Sequence, residues 1–79
     1  MMRWHLKELI GKYESKTGAR LTYRRIEKDT GLSKSLLSHI ATNKATRADL
    51  KTIELILRYF EGLLGTDLST GDLLTYSRE

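Results

Sequence analysis

The chain has 79 residues, no cysteine, no proline, 39% hydrophobic residues and a net charge of +4. A single small core fits that length, while disulfide frameworks and thiolate metal sites are excluded. No apolar run approaches the roughly 18 residues of a membrane span, and "MMRWHLKELIGKYE" lacks the continuous apolar stretch of a signal peptide, so the reading is a cytoplasmic protein.

The charge is uneven. Residues 1–60 carry 13 Lys and Arg against 6 acids, a balance of +7; residues 61–79 carry Arg78 against Glu61, Asp67, Asp72 and Glu79, a balance of −3. A basic body with an acidic end suits a polyanionic partner such as nucleic acid. Periods of three and four recur and strand-like alternation is scarce, so the chain reads as all-helical, one domain over 1–79.

The first helix is expected over about residues 3–16. Leu6, Leu9, Ile10 and Tyr13 form its apolar stripe, Trp4 anchors its start and Gly18 stops it. Trp4 and Tyr13 read as core residues. Gly11 costs that helix about 1 kcal/mol relative to Ala.

The second helix follows Thr22, a candidate N-cap, turns Ile26 and Tyr23 inward, and ends at Thr30-Gly31. The third starts at Ser33, another cap, and carries Leu36, Leu37 and Ile40 inward, with Asn43 near its end. "TRAD", Thr46 to Asp49, matches a capping box before the longest helix, which Gly62 and Gly65 close. "STGD", Ser69 to Asp72, matches a second box opening a short fifth helix with Leu73, Leu74 and Tyr76. The expected fold is therefore a compact all-α bundle of five helices.

The fourth helix is too apolar for one stripe. Either the fifth helix covers the excess, or Ile56, Tyr59, Phe60 and Leu63 form a homodimer seam.

Two short helices about a glycine turn make a helix-turn-helix over residues 22–43. Burying Leu32, Leu36, Leu37 and Ile40 leaves Lys34, Ser35, Ser38, His39 and Thr42 facing outward. A rod of about 33–42 fits the major groove, where Lys34 can donate to guanine O6 and N7, and Ser35, Ser38 and His39 can meet base edges. Free amides near Thr22 can hold a phosphate. Arg24 either neighbours a phosphate or, like Arg25 and Lys28, coats the outer helix face.

The stretch "LTYRRIEKDTGLSKSLLSHIATNKATRADLKTIELILRYF" resembles the phage-repressor-like helix-turn-helix family, the group of lambda repressor and Cro, also called XRE-type. The likeness spans about residues 3–76 and is strongest at Ile26, Gly31, Leu32, Ser33, Leu37 and Ile40. It implies a sequence-specific double-stranded DNA-binding transcription regulator, commonly dimeric, of lambda-repressor-like fold. It also implies base reading by Lys34, Ser35, Ser38 and His39, and phosphate contact by Tyr23 and by the loop residues Thr42, Asn43, Lys44 and Thr46. Two positions depart from the family pattern: Glu27 stands where a small residue is usual, and Lys44 replaces a glycine.

No catalytic triad, phosphate-binding glycine loop or metal-ligand cluster occurs in the sequence, so it reads as a non-enzyme without cofactor. A protein-interaction module, such as an antitoxin or anti-repressor, is the alternative reading.

Overall fold

The computed structural model describes residues 1–78. Strand β1 (Met2–Trp4) leads into helices α1 (Leu6–Thr17), α2 (Tyr23–Thr30), α3 (Lys34–Ala41) and α4 (Leu50–Leu64). A single 3-10 turn, Thr70–Asp72, then feeds strand β2 (Leu74–Tyr76). The strands pair antiparallel in the register Met2↔Tyr76, Arg3↔Thr75 and Trp4↔Leu74.

This corrects the five-helix expectation. Among the described residues the fold is four α-helices plus a two-stranded sheet, and the first and last segments are those that differ. Residues 3 and 4 do not open α1, and "DLLTY" is no fifth helix. The Asp72 carboxylate does receive the Ser69 amide, at 2.7 Å, as the box predicted, but the turn it closes lasts three residues. Trp4 and Leu74 then face each other across the strands, and the chain ends meet through Met1 and Ser77. Cross-strand packing of an aromatic on a branched residue outweighs a single further helical turn.

Each helix is assembled as its side chains require. Leu6, Leu9 and Tyr13 are buried from α1, Ile26 from α2, and Leu37, Ile40 and Ala41 from α3; Ile56, Phe60 and Leu64 are buried from α4. Trp4, Leu21 and Leu73 complete the same cluster. Thr22 and Ser33 cap α2 and α3 through the amides of Arg25 and Leu36, at 3.2 and 3.1 Å. The box expected at Thr46 is not formed. Instead Asp49 itself caps α4, taking the Thr52 amide at 2.7 Å, so the helix starts one turn later than expected. Gly62 lies inside α4, and Gly65 ends it in the left-handed conformation.

One device closes three helices. Glu14, Glu27 and Glu61 each accept, on the backbone carbonyl, the amide of the left-handed glycine four residues on: Gly18, Gly31 and Gly65. Each then reaches forward with its carboxylate to the amide seven residues on: Leu21 at 2.9 Å, Lys34 at 3.2 Å and Leu68 at 2.9 Å. The same spacing thus satisfies a helix end and fixes the direction in which the chain leaves it.

Two glycine substitutions separate these roles. Gly31→Ala forces a side chain to φ +82° and should destabilise by about 1–2 kcal/mol. Gly11→Ala, inside α1 with open space around the added methyl, should stabilise by about 0.5–1 kcal/mol. Urea unfolding followed by circular dichroism measures both.

Candidate nucleic-acid interface

The α2–turn–α3 unit is built from inside out. Ile26, Leu37 and Ile40 are almost wholly buried, and Leu32 and Leu36 pack against them. The opposite face of α3 consequently carries Lys34, Ser35, Ser38, His39 and Thr42. Lys34, Ser35, His39 and Thr42 are exposed, whereas Ser38 is half-buried.

Glu27 was the one residue of this unit that broke the family pattern, and its position has a physical reason. Its carboxylate lies across the turn on the first amide of α3, that of Lys34. A negative charge there complements the helix dipole and occupies the place a phosphate would take. The Lys34 amide is thus engaged, and the groups left open at this end of α3 are the exposed side chains of Lys34 and Ser35.

The phosphate candidates divide into open and engaged groups. Thr22, Arg24, Lys44 and Thr46 are exposed, with no side-chain ion pair among the described residues, although the Thr22 hydroxyl caps α2. Tyr23 is half-buried against the core. Thr42 donates its hydroxyl back to the Ser38 carbonyl at 2.8 Å. Asn43 stands at φ 61° and accepts the Trp4 amide on Oδ1 at 2.6 Å, so that oxygen serves the fold. The indole of Trp4 also donates to the Ala45 carbonyl at 3.1 Å. Together these bonds tie β1 to the loop after α3, and the amides of Lys44 and Ala45 fold back on the His39 carbonyl at 2.8 and 3.1 Å.

Arg25 acts inside the molecule. It donates to the Tyr13 hydroxyl at 3.3 Å, lies 5.7 Å from the centre of that ring, and pairs with Asp29 at 3.6 Å. Tyr59 donates to the same Asp29 carboxylate at 2.7 Å. This chain clamps α2 between α1 and α4. It also engages the Tyr59 hydroxyl within the monomer. Ile56 and Phe60 are at most 1% exposed, inside the monomer's own core, so they have no surface for a second copy. Of the α4 seam candidates only Leu63, itself half-buried, retains accessible surface without such a bond.

Sequence reasoning missed two contributors. Arg47, exposed beside Thr46 in the loop, adds a cation to this side. The anchoring of the loop by Trp4 had no local signal, because the partners lie 39 and 41 residues apart.

No protein-family model matches the chain, and no curated protein or solved structure is significantly similar to it. No helix among the described residues is long and apolar enough to cross a membrane.

Burial, with the bond to Asp29 adding to it, pushes the Tyr59 hydroxyl up from 10.0 to about 12. A raised value means that the neutral form is favoured in the folded state. Its stabilisation is complete below pH about 10 and is lost as pH rises towards about 12. The stability gap between wild type and Tyr59→Phe should therefore narrow across that window in urea titrations at successive pH values.

Proposed function

We propose that the protein is a cytoplasmic, sequence-specific regulator that binds double-stranded DNA through α3 in the major groove. The observation that carries this reading is the two-sided character of α3. Leu37 and Ile40 are wholly buried on one face, and Lys34, Ser35 and His39 are exposed on the other. The exposed row can both donate and accept hydrogen bonds, as base edges require, and the width of a helix suits the major groove. The likeness of residues 3–76 to phage-repressor-like helix-turn-helix proteins, and the +7 balance of residues 1–60, support the same reading.

In this account Lys34 and Ser35 contact base edges, and Ser38 and His39 extend the contact. Thr22, Tyr23, Arg24, Thr42, Asn43, Lys44 and Thr46 lie along the phosphates. A homodimer would present two α3 helices to half-sites about one helical turn apart.

One observation favours a second reading. Leu50 is 84% exposed at the head of a groove of about 410 Å³ formed with Ile53, Leu57 and Leu68. That surface suits a protein partner, as in an antitoxin or anti-repressor. Salt separates the two readings: DNA affinity falls by orders of magnitude between about 50 and 200 mM salt when many phosphates are neutralised, and an apolar contact barely responds.

Binding measured by fluorescence anisotropy on duplexes selected from a random pool tests the residue roles. Lys34→Ala should cost about 1–3 kcal/mol and relax preference at one base position. Lys44→Ala should weaken all sequences alike and lower the salt slope by about one. A Lys34→Ala protein that ranks every duplex as wild type does would remove Lys34 from base reading.

A further inference from the structure

An acid stands inside the surface assigned above to a polyanion. Glu27 shares a face of α2 with Tyr23 and Arg24 of the preceding turn. Its carboxylate crosses the Gly31 turn and accepts the Lys34 amide on Oε2 at 3.2 Å. It therefore lies between the residues of α2 assigned to phosphates and the start of the helix assigned to bases. The side chain is half-buried and forms no ion pair among the described residues. Neither Arg24 nor Lys34, both exposed, neutralises it.

Capping accounts for one oxygen of that carboxylate. Glu14 and Glu61 make the same forward bond, but to the loop amides of Leu21 and Leu68; at Glu27 the bond ends on the residue that opens α3. An ionised carboxylate accepts on both oxygens. Oε1 of Glu27 accepts no hydrogen bond among the described residues. Pressed against DNA, such a charge is unfavourable unless a donor meets it. The base edges of the major groove offer two such donors, the amino groups at cytosine N4 and adenine N6; guanine O6 and thymine O4 present an acceptor there instead.

We propose that Glu27 is a specificity-determining residue: at one position of the DNA site its Oε1 accepts the exocyclic amino group of a cytosine or adenine, and its charge opposes any sequence that sets a keto oxygen there. Lys34 and Glu27 then read unlike edges from the two sides of the Gly31 turn, one as donor and the other as acceptor. Their effects on affinity differ. A lysine gains from a phosphate on any sequence, so it strengthens all binding. A carboxylate gains nothing from a phosphate, and a keto oxygen repels it. Glu27 therefore separates right from wrong sequences mainly by weakening the wrong ones.

This rests on the duplex-binding function proposed above and deepens it, by naming a chemical class of base. It also gives a second use to the residue at which this chain departs from the phage-repressor-like pattern. The bond to the Lys34 amide holds the carboxylate in place, so the free oxygen is presented from a fixed position beside the first turn of α3.

The test uses the full chain and duplexes selected from a random pool. At one position wild type should prefer an amino base, C or A, over G or T on the same strand by about tenfold. Glu27→Gln keeps an acceptor for the Lys34 amide and gains a donor. It should cut that preference to about threefold or less, leave the other positions as they were, and bind mismatched duplexes more tightly than wild type does. A capping role alone would shift every duplex alike. A second arm changes the DNA and not the protein, and it carries the test if Glu27→Gln fails to fold. Purine in place of adenine, or pyrimidin-2-one in place of cytosine, leaves that edge without amino or keto group. Wild type should rank the three edges amino, then blank, then keto, an order that a hydroxyl, able to donate to the keto oxygen, does not give. Selected duplexes with no amino-specific position, a folded Glu27→Gln protein that keeps every preference or shifts all duplexes equally, or a blank edge bound as well as the amino edge would overturn the proposal and leave the duplex reading standing. A pool that yields no bound duplex would overturn both.

Discussion

The steep junction at Gly31 is the constraint on which the rest depends. At φ +82° the chain turns from α2 into α3 in a conformation that a side chain strongly resists. That turn lets Ile26 meet Leu37 and Ile40 in one buried angle, with Leu32 against them. Once those apolar groups are inside, helical geometry leaves the row from Lys34 to Thr42 with nowhere to go but outward. Glu27 secures the junction from both sides. Its carbonyl receives the Gly31 amide at 2.8 Å and its carboxylate the Lys34 amide at 3.2 Å. The outward row is thus a consequence of packing, and the proposed DNA reading rests on its chemistry, not on its exposure.

Two further sets of bonds keep that unit in place. On one flank Tyr13, Arg25, Asp29 and Tyr59 join α1, α2 and α4. On the other, Trp4 joins the ribbon to the loop after α3 through Asn43 and Ala45. The first set fixes the base of α2, and the second fixes the exit from α3. Residues that look in sequence like cationic or polar surface, Arg25 and Asn43 among them, prove to have structural partners. The exposed cations around α2, α3 and the loop that lack such a partner among the described residues are Arg24, Lys34, Lys44 and Arg47, with Lys28 further along α2.

The helical body was legible because its signals are local. Stripes at three and four, hydroxyl caps at Thr22 and Ser33, and glycines at 18, 31 and 65 marked α1 to α4 within a few residues. The ribbon was not legible. Three-residue strands are too short to show alternation, and their pairing joins residues such as Trp4 and Leu74 at opposite ends of the chain. "TRAD" misled because its Thr and Asp fit a box, while Asp49 fits equally well as the cap itself. The apolar excess on α4 misled in another way. Ile56 and Phe60 are absorbed by Trp4, Leu21, Leu73 and the other helices, with no second copy needed. At the candidate interface, exposure of Lys34, Ser35 and His39 could be read from the sequence, whereas the use of Glu27, Asn43 and Thr42 within the fold required coordinates.

The central claim is that the outward face of α3 is a surface for DNA bases. Amide and side-chain chemical shifts of the labelled protein, titrated with a selected duplex at low salt, test it most directly. The account predicts the largest changes at Lys34, Ser35, Ser38 and His39, smaller ones at Thr22, Arg24 and Lys44, and little at Leu50, Ile53 and Leu57. Changes confined to the α4 groove, with the α3 signals unmoved at saturation, would contradict it.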